Sequence, residues 1–179
     1  MSKSFAALLI PAAALTGAFA PAAAAVLGPH AAACAAGGGR AAMLVHVEGL
    51  KARSGMLRVQ SYGGDPAHYF DKGSYLERVE VPVPSAGAIE VCMPVPRPGA
   101  YAVSVRHDPG ERSSQLAQGG GMSGNPNVSL MDVLFKRKPS PDQVKVEVRG
   151  IAVVPVVLNY VQGTTVGPVP RGERQGGRG

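Results

Sequence analysis

The sequence predicts an all-β fold, an antiparallel β-sandwich of about seven to eight short strands. Three observations carry that expectation. Apolar and polar residues alternate with period two at several places, most cleanly at Val79, Val81 and Val83 and again at Val144, Val146 and Val148. Turn-forming residues punctuate these runs, for the 179 residues include 24 glycines and 16 prolines. Helical periodicity is almost absent between the runs, which argues against a bundle.

Bulk composition narrows the function classes. The apolar share of 45% overstates the core, because alanine in the first forty residues supplies much of it. The net charge is +6, and loss of a leader containing Lys3 would leave +5. Arg171, Arg174 and Arg178 supply much of the excess at the far end of the chain. No basic stripe is interleaved with aromatic residues, so nucleic acid is not an expected partner. No phosphate loop, CxxC or HExxH pattern occurs, and no cofactor is expected.

Residues 1–25 read as a signal peptide. Lys3 precedes an apolar run from Phe5, and Ala23-Ala24-Ala25 supplies small residues before Val26. Pro11 and Gly17 interrupt the run, which is too short and alanine-rich for a stable span. A periplasmic or secreted protein is expected, not an integral membrane protein after cleavage. Residues 26–41 read as a flexible Ala/Gly arm hinged at 37–39. Cys34 and Cys92 are the only cysteines. An even number in an exported chain suggests a disulfide, with a free buried Cys92 as the alternative. Ala31-Ala32-Ala33 lacks the large aliphatic residue expected upstream of a lipid-modified Cys34.

The sandwich domain is expected over residues 42–162. Its first strand is 43–48, with Val45 and Val47 on one face and His46 and Glu48 on the other. The second is 56–62, with Leu57 and Val59 inward. Asp65-Pro66 opens a helical turn, because Asp caps well and Pro suits the first helical position. The third strand is 76–83; Pro82 marks it as an edge or a strand end. The fourth is 88–93 and places Cys92 beside Glu90, opposite Ile89, Val91 and Met93. The fifth starts at the Pro98-Gly99 turn and puts Tyr101, Val103 and Val105 on one face. Residues 109–127 form the longest irregular stretch, expected to be functional or mobile. A sixth strand is expected at 128–135, a seventh at 144–149, and a central strand, covered on both faces, at 153–161. Residues 163–179 read as a disordered tail.

The segment Arg97-Pro98-Gly99-Ala100-Tyr101 resembles the turn that opens a strand in transthyretin-like and carboxypeptidase-regulatory-like sandwiches. The resemblance implies an immunoglobulin/transthyretin-like architecture, with Pro98, Gly99 and Tyr101 forming a structural corner at which the Tyr hydroxyl bonds backbone. Over most of residues 43–162 the chain also resembles an exported bacterial family known as a domain of unknown function. Val47-Glu48-Gly49-Leu50-Lys51, Gly55-Met56-Leu57-Arg58-Val59, Val105-Arg106-His107-Asp108 and Gly121-Met122-Ser123-Gly124-Asn125-Pro126 carry that likeness, with Pro155-Val156-Val157-Leu158-Asn159-Tyr160. It implies a fold, a compartment and, in one branch, a Cys34–Cys92 pairing, but no activity. Many relatives continue past His-Asp with a calcium-type acidic run. Here Asp108 and Glu111 are the only acids before Ser114, and Arg112 stands beside them, too few oxygen donors for a hard cation.

Arg106, His107, Asp108 and Asn125 are the candidate functional residues, because they border the long loop. His107-Asp108 near Ser113, Ser114 and Ser123 raises a hydrolytic triad. Sequence neighbours on a strand point to opposite faces, which argues against it. His46 and His107 would make a metal pair if their strands were neighbours, without a visible third ligand. Lys136-Arg137-Lys138 reads as a solvated turn, or as a contact for an anionic surface. The leading expectation is an exported binding or structural module, not an enzyme, meeting an unknown protein or cell-envelope ligand. The alternatives are a ligand- or metal-binding module, or a hydrolase-type enzyme, both using loop 107–127.

Overall fold

The computed structural model describes residues 25–36, 39–110, 114 and 117–170. The leader reading therefore lies outside the described residues except at Ala25. The described chain is an all-β sandwich of two facing sheets with a few short helical turns.

The first sheet has the order β1 (Val26–Leu27), β5 (Ile89–Pro94), β2 (Ala42–Glu48), β9 (Ile151–Val157). The second runs β4 (Glu77–Pro82), β3 (Met56–Tyr62), β6 (Gly99–Asp108), β7 (Gly119–Met122), and β8 (Val146–Val148) also pairs with β6. A small hairpin, β10 (Tyr160–Gln162) and β11 (Thr165–Gly167), completes the strands. The second sheet is antiparallel throughout, whereas in the first β1 joins β5 and β9 joins β2 in parallel. Each parallel neighbour arrives through a long connection rather than a hairpin, as parallel pairing requires.

At ten residues β6 is long enough to serve several neighbours. One edge pairs with β3 from Ala102 to Asp108. The other pairs first with β8, at Gly99 to Tyr101, and then with β7, at Ser104 to His107. Its inner face presents Tyr101, Val103, Val105 and His107, all nearly inaccessible to solvent. Tyr101, Val103 and Val105 meet Met43, Val45 and Val47 of β2, Ile89, Val91 and Met93 of β5, and Leu57 and Val59 of β3 in one core. Fully burying side chains of this kind contributes roughly 1.5–3 kcal/mol each. On the outer face Ala102 joins a second, smaller cluster with Tyr62, Tyr69 and Val144. The Asp65 carboxylate accepts from the Ala67 N–H at 2.9 Å and starts the 3-10 turn Pro66–His68 that delivers Tyr69 to this cluster.

Several expectations are corrected. The arm expected at 26–41 is in part structured. Val26 and Leu27 extend the first sheet, and the 3-10 turn Ala31–Cys34 carries a disulfide to Cys92, with Cα atoms 5.8 Å apart. The strand expected at 128–135 is a helix, α1 (Leu130–Leu134). Ser129 and Asp132 cap one another's backbone there, and the apolar run has no polar alternation to make a two-faced strand. The strand expected at 144–149 begins later, because Pro141 at the first helical position starts α2 (Pro141–Val144). The strand expected to be covered on both faces is the edge strand β9, where Val153 is 66% exposed. The chain beyond Gly163 does not become a tail at once. Residues 165–167 pair with β10, and Val169 is buried in the core; residues 171–179 lie outside the described residues.

The disulfide closes a separation of 58 residues between the edge of the chain and the middle of β5. In the chain-entropy view this contributes about 4 kcal/mol. Denaturant unfolding with and without reductant, checked by the Cys34→Ala/Cys92→Ala variant, is expected to show a loss of that order. Equal midpoints under both conditions would reject the tether.

Candidate functional site

The strand exit at residues 106–108 divides its side chains between two environments. His107 points inward beside Leu57, its register partner on β3. It is completely buried, and both ring nitrogens are engaged. Nε2 lies 2.9 Å from the Ser54 carbonyl oxygen, which only accepts, so Nε2 carries the proton and donates. Nδ1 is then the acceptor for the Tyr160 hydroxyl at 2.6 Å. The same phenol oxygen accepts from the Lys51 N–H at 3.2 Å. Burial lowers the His107 pKa below 6.5, against the opposing effects of the Ser54 carbonyl and Asp108. Burial pushes the Tyr160 phenol up to about 12, so it remains a donor. The neutral imidazole is thus a joint between the β2–β3 connection, β6 and β10.

The room for this joint comes from glycine. A Cβ at Gly119 would lie 2.5 Å from the Tyr160 ring, and one at Gly121 would lie 2.7 Å from both the Val156 side chain and the Val157 carbonyl. β7 can approach only because neither position has a side chain.

Asp108 faces away from this network. It accepts from the Gly110 N–H at 3.2 Å and from the Gln118 amide at 3.1 Å. Ser123 is buried elsewhere: it accepts from the Val103 N–H at 3.0 Å and donates to the Val144 carbonyl. No described serine or carboxylate bonds His107; Ser113 lies outside the described residues. His46 is on the outer face of the other sheet, 3.3 Å from Glu48 and 3.5 Å from Glu90, so the two histidines do not meet. Among the described residues no group of three or more His, Cys, Asp or Glu is placed to hold a metal. Asn125, with φ of 47°, serves the free edge of β9: its amide donates to the Pro155 carbonyl and accepts from the Val157 N–H, at 3.1 and 2.7 Å. Tyr101 donates to the Arg97 carbonyl at 2.7 Å across the Pro98-Gly99 turn.

Arg106 belongs to a different place. It lies on the outer face of the second sheet, directly opposite Arg58 on β3 and Gly120 on β7. The next row on that face is Gln60, Ser104 and Met122. α1, the turn at 136–139 and the β10–β11 hairpin rise around these rows and enclose a groove of about 450 Å³. Five cations line it, namely Arg58, Arg106, Lys136, Arg137 and Lys138, against the single carboxylate of Asp132. Three of the cations are already engaged. Arg58 pairs with Glu80 at 2.7 Å, Lys138 bonds Asp71 and the Ala67 carbonyl at 2.8 and 3.1 Å, and the Arg137 guanidinium lies over the Phe135 ring. Asp71 is held below the usual carboxylate range, first by its hydrogen bond from Lys138. Asp132 is lowered by its bonds to Ser129. Sequence reading missed this groove, since its residues meet only through strand register. The available signal was the outward-facing Arg on each of two alternating strands, Arg58 and Arg106, which the β3–β6 register sets opposite one another.

Removing the Tyr160 hydroxyl strands the His107 acceptor and the Lys51 donor, so Tyr160→Phe is expected to cost about 1–3 kcal/mol. Since folding lowers the His107 pKa, the unfolded chain takes up the proton first. Stability is therefore fully present above about pH 6.5 and is lost as pH falls through the folded pKa. Thermal melts from pH 7.5 to 5 should show that loss in the wild type and a flatter profile in His107→Gln. A flat wild-type profile would reject the buried neutral imidazole.

No helix among the described residues is long and apolar enough to cross a membrane. No curated protein and no solved structure matches the chain. A family model matches residues 45–154, from within β2 to within β9 and more than half of the chain. The chain belongs to this bacterial family, DUF2141, whose description reads uncharacterized protein conserved in bacteria.

Proposed function

We propose that the domain is an exported, non-catalytic binding module whose basic groove takes a small carboxylated or phosphorylated ligand. The observation that carries this reading is the Arg58–Arg106 pair. Two like charges directly opposite on a sheet face destabilise it. Glu80 compensates Arg58, whereas Arg106 has no hydrogen bond or ion pair among the described residues. The space above Gly120, its neighbour on β7, is open. An anion seated there would relieve the repulsion and accept the guanidinium's paired donors. The groove also has the size of a small-molecule site.

Support for the other parts of the reading is separate. The engagement of both His107 nitrogens favours binding over hydrolysis. The disulfide favours an oxidising compartment, in keeping with export by the leader at residues 1–25. The Tyr101 corner after Pro98-Gly99 favours the transthyretin-like subtype of sandwich.

Calorimetric titration with inorganic phosphate, citrate and short galacturonate oligomers tests the groove. At least one is expected to bind with an affinity that falls as salt rises. Arg106→Gln should weaken it about tenfold or more, the loss of a charged hydrogen bond being worth about 1.5–3 kcal/mol, without lowering the Tm of the free protein, since the repulsion with Arg58 is removed. No binding by any of the three, or an unaffected variant, would reject the anion site.

A further inference from the structure

The helix α1 has an unusual relation to the fold, because none of its residues is buried. Met131, Leu134 and Phe135 are 52%, 55% and 65% exposed. A helix of five residues has little stability of its own, and here packing supplies little. Its ends hold it instead. Ser129 and Asp132 cap the start reciprocally. At the end Lys136 adopts a φ of 51°, and the Arg137 N–H bonds back to the Asp132 carbonyl at 2.8 Å. Lys138 then ties the following turn to the Pro66–His68 segment and Asp71. The result is an apolar knuckle presented to solvent in a fixed conformation.

Charge decides what such a knuckle fits. Lys136, Arg137 and Lys138 follow Phe135 without a gap. The Arg137 guanidinium sits 5.5 Å from the Phe135 ring centre, so cation and aromatic are held at one level. The chain as a whole carries +6. Apolar tips collared by Lys and Arg sit at the boundary of acyl chains and headgroups, where anionic lipid attracts the collar. We propose that residues 130–138 dock the domain on an anionic phospholipid surface, with Met131, Leu134 and Phe135 entering the acyl boundary and the basic turn at headgroup level. The collar cations also line the groove, but Arg106, on which the anion reading rests, lies on the sheet face away from the apolar tips, so a substitution there separates the two sites.

The chain contains no tryptophan, which makes a clean test available. Phe135→Trp places a single reporter on the knuckle, and Val153→Trp places one on the exposed edge of β9. The probe is vesicles of phosphatidylcholine alone or mixed with phosphatidylglycerol. With the mixed vesicles the Phe135→Trp emission should shift to the blue and be quenched by brominated acyl chains, while Val153→Trp should change in neither respect. Co-sedimentation of the tryptophan-free protein should fall at least tenfold in Leu134→Ser/Phe135→Ser and in Lys136→Glu, and less than twofold in Arg106→Gln. Equal binding to both vesicle types, or binding retained in the knuckle variants, would overturn the proposal, the second result pointing to another part of the chain. A wild-type dimer that becomes monomeric in Leu134→Ser/Phe135→Ser, with no vesicle binding, would overturn it in favour of a second copy as the occupant.

Discussion

Closing a polar ring inside an apolar core constrains the rest of this structure. A buried imidazole is tolerated when both nitrogens are bonded and the ring stays neutral. The Ser54 carbonyl and Tyr160 hydroxyl meet that condition at His107, and Lys51 completes the demand of the phenol. The partners come from positions 53 residues before and 53 residues after the histidine, so the network joins distant parts of the chain. Tyr160 needs space for its ring, which explains why Gly119 cannot carry a side chain. β7 is consequently thin, and its approach leaves the outer side of Gly120 open. The groove on one face of the second sheet is thus connected to the packing on the other.

The alternation rule explains why His107 and Arg106 part company. On β6, Tyr101, Val103 and Val105 share the inner face with His107, while Ser104 and Arg106 share the outer face. A loop-centred reading groups residues 106–108 by their nearness in sequence. The strand separates them by direction. Asp108 and Asn125, which that reading also groups with His107, satisfy backbone and side-chain groups near the loop and along β9.

Much of the fold was legible where a local pattern and the tertiary environment agreed. The alternation in residues 79–83, the Asp65-Pro66 start and the Pro98-Gly99-Tyr101 turn each contain the cause of the local structure they adopt. Residues 128–135 were illegible as a helix because their apolar content resembles a buried strand. The opposing signal, Ser129 three residues ahead of Asp132, is a capping box one methylene shorter than the usual Ser-x-x-Glu form. β9 looked covered because Val153, Val154, Val156 and Val157 are all apolar, yet Asn125 rather than a further strand meets its outer edge at Pro155 and Val157. The candidate groove was least legible, because Arg58 and Arg106 lie 48 positions apart and meet only through the β3–β6 register.

The exposed residues of α1 become intelligible beside that edge. Both places leave apolar side chains in solvent, but the surrounding chemistry differs. At β9, Pro155 lacks an N–H, and the Asn125 amide takes up the neighbouring backbone groups, so the strand is blunted against pairing with another chain. At α1 nothing comparable conceals Leu134 and Phe135, and the caps instead maintain their display. A conformation held by local hydrogen bonds while its apolar side chains remain exposed is preorganised for contact, since little ordering entropy remains to be lost on docking. The adjoining cations then distinguish the two surfaces: β9 is an edge protected from association, and α1 is a surface shaped for it.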